Sequence, residues 1–552
     1  MKNVEVEKII VSGELCQRAD KNFDRLEASQ YQVPNVFKGS DYKWPGDIEG
    51  RTMLALVVLS RATHRTPRFL DEILKEIPGQ LNEKGYFGPI LPEGTLNEQQ
   101  ISGNNWALRA FIEYYSWKKE SWALDIIQSM VKNLLLPARG YYEKYPVIPE
   151  QRVFAGGVEG DITGKVGHWI TSTDIGCAFI MLDGAAQAYQ LLKDSELKAL
   201  LEEMIRVFVS IDFVKLSCQT HATLSALRGI LRFYSETGEK WLLEEVQRIY
   251  SLYREEACTE NYANYNWFGR PTWTEPCAVV DSFIVVLELW RLTRNVAYLE
   301  DAHHIWYNAI GHGQRPNGGF GTDMCLGARD EFLSKGPNKF EAAHCCTMRG
   351  GEGLEKAIGY LYFLSGEEII LPFYNDSTVT LTFEDGEIIL QQRTTYPMEG
   401  YVNLEILHST VRGNKNIKIF VPTWVNNETI SLKVDGKNCV VCMDNHFIAV
   451  EIGGTVVKKI EMRFDILLRT EGTHNKHSIQ GYHSYRHGTL LLGMENHSEP
   501  VSLNESEEIT YLGNGKYQIV KSNQVLSPIN DMLKMTEQEG MLSRKQVLFR
   551  RK

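Results

Sequence analysis

Hydrophobic spacing changes period once along this chain, near residue 368, and that switch limits what the chain can fold into more than any other feature. From roughly residue 50 to 365, apolar residues recur at i, i+3, i+4 and i+7, which marks helices with one buried stripe each. The spacing predicts helices over 51–61, 107–115, 123–135, 178–192, 196–209, 223–236, 241–255, 279–292, 298–310 and 353–364. Short Gly-, Asp- or Thr-rich turns such as Thr237-Gly-Glu-Lys separate them. About a dozen helices in successive hairpins, with no strict repeat length, predict an α/α toroid of the (α/α)6 barrel kind rather than a solenoid. Beyond residue 368 the period is two. Segments such as Ser377-Thr-Val-Thr-Leu-Thr-Phe and Ile417-Lys-Ile-Phe-Val alternate between Gly, Asn and Asp turns, the pattern of an antiparallel β-sandwich. The expected division is a helical domain over residues 1–368 and a C-terminal β-sandwich region over 369–552, in which the polar, then basic, last thirty residues give no firm reading.

Three long connections interrupt the helix pairs, at 137–172, 258–277 and 311–345. Loops of that length inside a compact domain are usually functional. Two of them end on unusual residues. Glu275-Pro-Cys277 closes one, and the adjacent pair Cys345-Cys346 closes another, in Glu341-Ala-Ala-His-Cys-Cys-Thr-Met-Arg-Gly-Gly. Adjacent cysteines do not easily form a relaxed disulfide with each other. Both can turn toward one metal ion where the backbone bends. One carboxylate and three thiolates make four donors, the number a tetrahedral zinc site takes, and the soft sulfurs favour Zn²⁺ over magnesium or calcium. Buried free cysteines that merely lie near one another would look the same in sequence. Cys439-Val-Val-Cys442 lies in an apparent strand and reads as packing; Cys16, Cys177, Cys218, Cys258 and Cys325 stand alone.

The remaining composition narrows partners. A net charge of −11 argues against nucleic acid and against an anionic membrane surface. The opening residues, Met1-Lys-Asn-Val-Glu-Val-Glu-Lys, lack the apolar core of a secretory signal, and no stretch approaches the roughly 20 apolar residues that span a bilayer. The expectation is a cytoplasmic protein whose ten cysteines stay reduced. A homodimer is compatible with everything above, and oligomeric state is otherwise not legible.

A lone Glu260 in Cys-Thr-Glu-Asn-Tyr, then Glu-x-Cys fifteen positions on, then Cys-Cys opening a helix, resembles glycoside hydrolase family 127, the β-L-arabinofuranosidases. Trp44-Pro-Gly-Asp47-Ile-Glu-Gly-Arg51, Arg109-Ala-Phe-Ile-Glu-Tyr-Tyr and His221-Ala-Thr-Leu-Ser-Ala resemble its barrel segments. Thr395-Tyr-Pro-Met-Glu-Gly400, Val421-Pro-Thr-Trp424 and His487-Gly-Thr-Leu-Leu-Leu resemble its sandwich. The resemblance implies a retaining exo-glycosidase acting on a terminal β-L-arabinofuranosyl residue, or a similar sugar, of an oligosaccharide or small glycoconjugate. It implies Cys345 as nucleophile, Glu275, Cys277, Cys345 and Cys346 as ligands of Zn²⁺, and Glu260 as general acid/base, with Glu255 and Glu256 nearby. His221 falls in a segment where the family binds substrate. Asp47, His168 and Trp267 are further candidates for the sugar pocket: Asp47 can bond hydroxyls or cap a helix, and His168 and Trp267 lie in long loops rich in aromatic residues. Two departures stand out. Thr-Met-Arg-Gly-Gly follows the cysteine pair where the family usually has prolines, and the step from Glu260 to Glu275 is one residue short. Two other readings remain: an α/α-barrel carbohydrate-active enzyme of different specificity, and a non-catalytic carbohydrate-binding protein with structural zinc.

Overall fold

Two kinds of helix alternate along the first 360 residues, and the difference between them builds the barrel. A computed structural model describes residues 1–551 apart from 40–41, 155–159, 329, 337–339, 454–457 and 505. The helices are α1 (Gly13–Leu26), α2 (Asp47–Thr63), α3 (Leu70–Gln80), α4 (Glu98–Lys118), α5 (Ser121–Met130), α6 (Met181–Leu192), α7 (Ser195–Val209), α8 (Thr220–Thr237), α9 (Lys240–Glu256), α10 (Pro276–Thr293), α11 (Val296–His304), the single turn α12 (Gly311–Gly313) and α13 (Cys346–Gly359). On α7 the apolar side chains Leu197, Leu200, Leu201, Met204, Ile205 and Phe208 fall on one stripe and are buried. On α10 nearly every residue from Pro276 to Trp290 is buried. A helix of the first kind can lie outside a ring, whereas one of the second kind must lie inside it.

The neighbours follow that rule. α2, α4, α6, α8, α10 and α13 pack each on the next, and α13 returns to α2, so six helices close an inner ring. α5, α7, α9 and α11 pack outside α4, α6, α8 and α10, and α1 lies against α2 and α13. This is the expected (α/α)6 architecture. α1 lies before residue 50, where no helix is expected, although Leu15, Ala19, Phe23 and Leu26 form its buried stripe. Glycines permit the closest approaches: a Cβ on Gly50 would stand 2.2 Å from the Ala107 amide nitrogen of α4.

Beyond the barrel, two sheets form the expected sandwich, and both recruit the N-terminus. Lys2–Asn3 pairs with Phe363–Ser365 at the edge of a six-stranded sheet, and Ile9–Val11 pairs with Ser377–Phe383 at the edge of a seven-stranded one. Alternating burial along Ser377–Phe383 and Gly400–Ser409 gives each sheet one core face. One pair, Glu368–Leu371 against Lys415–Phe420, is parallel. Strands from Leu468 onward belong to a separate nine-stranded sheet. That sheet also takes Phe332–Leu333 from a barrel loop, paired with Lys545–Gln546 of the chain's last segment. Cys439 and Cys442 are both exposed, so the packing role expected of them does not hold. Among the described residues, no helix is long and apolar enough to cross a membrane.

Candidate active site

The N-terminal ends of the inner helices converge on one cavity of about 400 Å³. Asp47 and Arg51 come from the first turns of α2, and His221 from the start of α8. Glu275 caps α10 and Cys346 opens α13, with Cys345 at its N-cap. The positive ends of helix dipoles therefore face the place where thiolates and carboxylates gather.

Cys345 Sγ lies 3.2 Å from Cys277 Sγ, and Cys277 Sγ lies 3.7 Å from Cys346 Sγ. Glu275 Oε1 is 3.7 Å from Cys345 Sγ. A zinc tetrahedron with Zn–S bonds of ~2.3 Å has S···S edges of about 3.8 Å, so these separations suit a single ion. The ligand atoms of Cys277, Cys345 and Cys346 lie within 4.8 Å of one another, as do those of His221, Glu275 and Cys277. These groups can hold a metal. Cys277 and Cys346 are buried, whereas Cys345 is only partly so. Among the three coupled thiols, hydrogen bonds from Cys277 and Cys346, aided by the positive charge of Arg51, favour the thiolate on Cys345. Burial pushes the other two thiols up.

A rigid shell stands behind the cysteines. Arg51 Nη1 donates to Cys277 Sγ at 3.5 Å, and its Nε donates to Asp47 at 2.9 Å. His221 Nδ1 donates to Asp281 at 2.8 Å. Burial drives His221 toward the neutral form, which leaves Nε2 as an acceptor, 3.5 Å from Arg51 Nη2. Asp281 is fixed in turn by Ser225 and Arg228, each at 2.6 Å, and by Arg349. Trp106 forms a flat plate beneath. The guanidinium carbons of Arg51 and Arg349 sit 4.3 and 4.4 Å from its ring, and His221 stacks on it at 5.7 Å. The buried Asp281 carboxylate is held well below its usual range by its arginines despite burial.

Of the residues singled out in the sequence, Asp47, His221, Glu275, Cys345 and Cys346 line the cavity, and Cys277 lies directly behind. Three do not line it. His168 bonds the Gly94 carbonyl at 2.7 Å and packs on Tyr141. Trp267 stands behind Trp273, ring to ring at 5.1 Å, and Trp273 is the one that faces the cavity. Glu260 points instead to the loop between the first two C-terminal strands of the nine-stranded sheet, Leu468–Gly472 and Tyr482–His487. Its carboxylate accepts from the His474 and Asn475 amides at 3.1 Å, from His474 Nδ1 at 2.7 Å and from the Ser478 hydroxyl. These donors hold it down at about 2, ionised, although burial works the other way. Glu256 is occupied similarly, by Lys476 and His477.

Sequence reasoning left Arg51, Trp44, Gln219 and Asp174 without roles, yet all four line the cavity. Arg51 sits one helical turn after Asp47, and that i, i+4 spacing of opposite charges is a readable signal. Asp174 falls two residues past the end of a flagged loop, and nothing in its local sequence marks it.

Residues 368–466 match the family model described as beta-L-arabinofuranosidase, GH127 middle domain. No curated protein matches the chain in sequence. Among solved structures, one described as a glycoside hydrolase superposes with a TM-score of 0.71 at 16% identity, covering 99% of this chain and 97% of its own. A GH127 beta-arabinofuranosidase gives 0.69 at 14% identity, covering 100% and 98%. A GH127 beta-L-arabinofuranosidase from Geobacillus stearothermophilus T6 gives 0.71 at 12% identity, covering 99% and 100%. The sequence match covers the middle domain, residues 368–466, and the superpositions at 12–16% identity show one fold shared from end to end. The resemblance to glycoside hydrolase family 127 is borne out in sequence over residues 368–466 and in fold over the whole chain.

Proposed function

We propose that this protein is a retaining exo-glycosidase that removes terminal β-L-arabinofuranosyl residues, or a closely similar sugar, through Cys345. The observation that carries the reading is the arrangement of the three sulfurs. Two are buried, and the third, on Cys345, lies at the cavity wall and is favoured as the thiolate. A cluster built only for structure has no reason to present one sulfur to a cavity of sugar-binding size. The solved relatives described as β-arabinofuranosidases and the matched middle domain support the sugar class.

Glu275, Cys277, Cys345 and Cys346 would hold Zn²⁺, whose contribution is to keep the cysteines deprotonated at neutral pH and to fix the direction of the Cys345 sulfur. The chain's own groups perform the displacement. Cys345 Sγ attacks the anomeric carbon, a carbon–sulfur bond forms, and the bond to the leaving oxygen breaks as that oxygen takes a proton. Water then attacks the same carbon from the opposite face, giving up a proton as the carbon–sulfur bond breaks. Two inversions give net retention. Arg51, held by Asp47, and His221, held by Asp281, keep the nucleophile and the sugar in register, the positional part of catalysis. The acid/base role that the resemblance gives Glu260 requires the 473–478 loop to release that carboxylate.

In this reading residues 1–368 carry catalysis and the β region braces them. None of the ten cysteines is in a disulfide, and three of them must stay reduced, which suits a reducing compartment such as the cytoplasm. The test is hydrolysis of an aryl β-L-arabinofuranoside by wild type and Cys345→Ser, with metal analysis of both. Phenol release by the wild type alone supports the reading. Equal release by Cys345→Ser, or no release across a panel of glycosides, contradicts it.

A further inference from the structure

A glycosidase of this kind needs a carboxyl group that carries a proton at the leaving oxygen, and among the described residues four carboxyl side chains line the cavity: Asp47, Asp174, Glu275 and Glu341. Three are committed elsewhere. Asp47 pairs with Arg51 at 2.9 Å. Glu341 is held by Arg25 at 2.8 Å and accepts from Thr347 at 2.7 Å. Glu275 belongs to the cysteine cluster and faces Gln219 at 3.4 Å. The carboxyl group of Asp174 is different. Among the described residues it has no cation and no hydrogen-bond donor. Only its backbone is tied down, with its amide donating to Ser172 Oγ at 3.1 Å and its carbonyl accepting from the Cys177 amide at 3.0 Å.

The walls around it look built for a bare carboxyl group. Gly160 packs so closely that a Cβ there would stand 2.5 Å from Asp174 Oδ2 and 2.6 Å from the Trp44 ring. Asp174 is 8% exposed, and that exposure is to the cavity.

We propose that Asp174, rather than Glu260, gives the proton to the leaving oxygen and takes one from the attacking water. The assignment rests on the glycosidase reading above and names the group that reading lacks. The balance is simple: the Asp174 proton passes to the departing oxygen as the sugar moves to Cys345, and the carboxylate then recovers a proton from water as the carbon–sulfur bond breaks. The surroundings favour the proton-bearing form. Burial raises Asp174 to about 7, aided by the negative charges of Cys345, Glu98 and Asp161, with Glu275 and Cys177 also facing it. Glu260 is the reverse case, a carboxylate saturated with donors and therefore a poor source of a proton.

The experiment compares wild type, Asp174→Asn and Glu260→Gln on two aryl glycosides of the same sugar, one with a dinitrophenyl and one with an unsubstituted phenyl leaving group. Losing a general acid costs about 10²–10⁴-fold where the leaving group needs protonation and little where it does not. The expected pattern for Asp174→Asn is therefore a large loss in kcat/KM on the phenyl glycoside and a small one on the dinitrophenyl glycoside. Azide should also raise kcat on the latter and yield a glycosyl azide of retained configuration. Glu260→Gln should lose equally on both substrates. If Asp174→Asn does not fold, Asp174→Ala is read in the same way, with circular dichroism and metal content as controls. Wild-type behaviour of the folded Asp174 variant, or the leaving-group pattern in Glu260→Gln, overturns the assignment. An inactive wild type overturns the glycosidase reading and this assignment with it.

Discussion

Cys345 Sγ lies 3.2 Å from Cys277 Sγ, across 68 residues of sequence. That is far longer than a disulfide of about 2.05 Å and within roughly half an ångström of the edge of a zinc tetrahedron. Cys277 sits in the first turn of α10 and Cys345 at the start of α13, so the closure of the inner ring sets the distance between them. Two ring helices that meet at their N-termini bring their sulfurs together without any local sequence linking them.

The first consequence concerns the metal. Purified protein is expected to carry about one zinc, and Cys277→Ser or Cys346→Ser should weaken zinc binding by ~100-fold or more, beyond what loss of an outer hydrogen bond costs. Elemental analysis after dialysis against a graded chelator series measures this. Full zinc content in both variants would remove the site.

Stripping the metal should expose an order among the thiols. Because Cys345 is the one favoured as a thiolate and Cys277 and Cys346 are pushed up, iodoacetamide should label Cys345 first. Its labelling should persist as pH falls below the ordinary cysteine range near 8.5, where a normal thiol is protonated. Peptide mapping of labelled apo-protein between pH 6 and 9 reads the order directly.

Glu260 predicts an acid-sensitive link between barrel and C-terminal sheet. Its carboxylate is held at about 2 against an ordinary 4.5, so the folded pKa is depressed. The stability it contributes is fully present above about 4.5 and is lost as pH falls toward 2. The shift corresponds to about 3 kcal/mol. Glu260→Gln should accelerate amide exchange at His474 and Asn475 at pH 7 and flatten their pH dependence between 5 and 3.

Asp281 anchors two arginines as well as His221. Asp281→Asn leaves buried positive charge uncompensated and should cost about 3–5 kcal/mol, seen as a lower unfolding temperature. Gly50→Ala should also destabilise, by about 1–3 kcal/mol, because the added methyl meets the backbone of α4 at Ala107. The same shift would carry Asp47 and Arg51 out of register.

Much of this architecture was legible because each environment writes its own period. α7 shows one apolar stripe and α10 shows apolar residues all round, and those two patterns separate outer from inner helices. α1 escaped because its stripe is diluted by eight charged or amide side chains, in Glu14-Leu-Cys-Gln-Arg-Ala-Asp-Lys-Asn-Phe-Asp-Arg. At the site, the cysteines and Glu275 were readable from residue type and spacing. The place of Asp174 was not, since what sets its carboxyl group apart is that it has no partner among the described residues, and only three dimensions show that. The surroundings of Glu260 were hidden for the opposite reason. Its motif is local, whereas the donors that occupy it, His474, Asn475 and Ser478, lie more than 200 residues away. His168 and Trp267 showed that an aromatic-rich loop does not say which ring faces inward.

The claim at the centre of this account is that Cys345 bonds covalently to the sugar. Rapid-quench mass spectrometry tests it most directly, using a dinitrophenyl β-L-arabinofuranoside and the Asp174→Asn variant to slow breakdown of the intermediate. The account predicts one anhydropentose on the peptide carrying Cys345, absent in the Cys345→Ser protein. Turnover with the adduct on another residue, or turnover of Cys345→Ser at the wild-type rate, would contradict it.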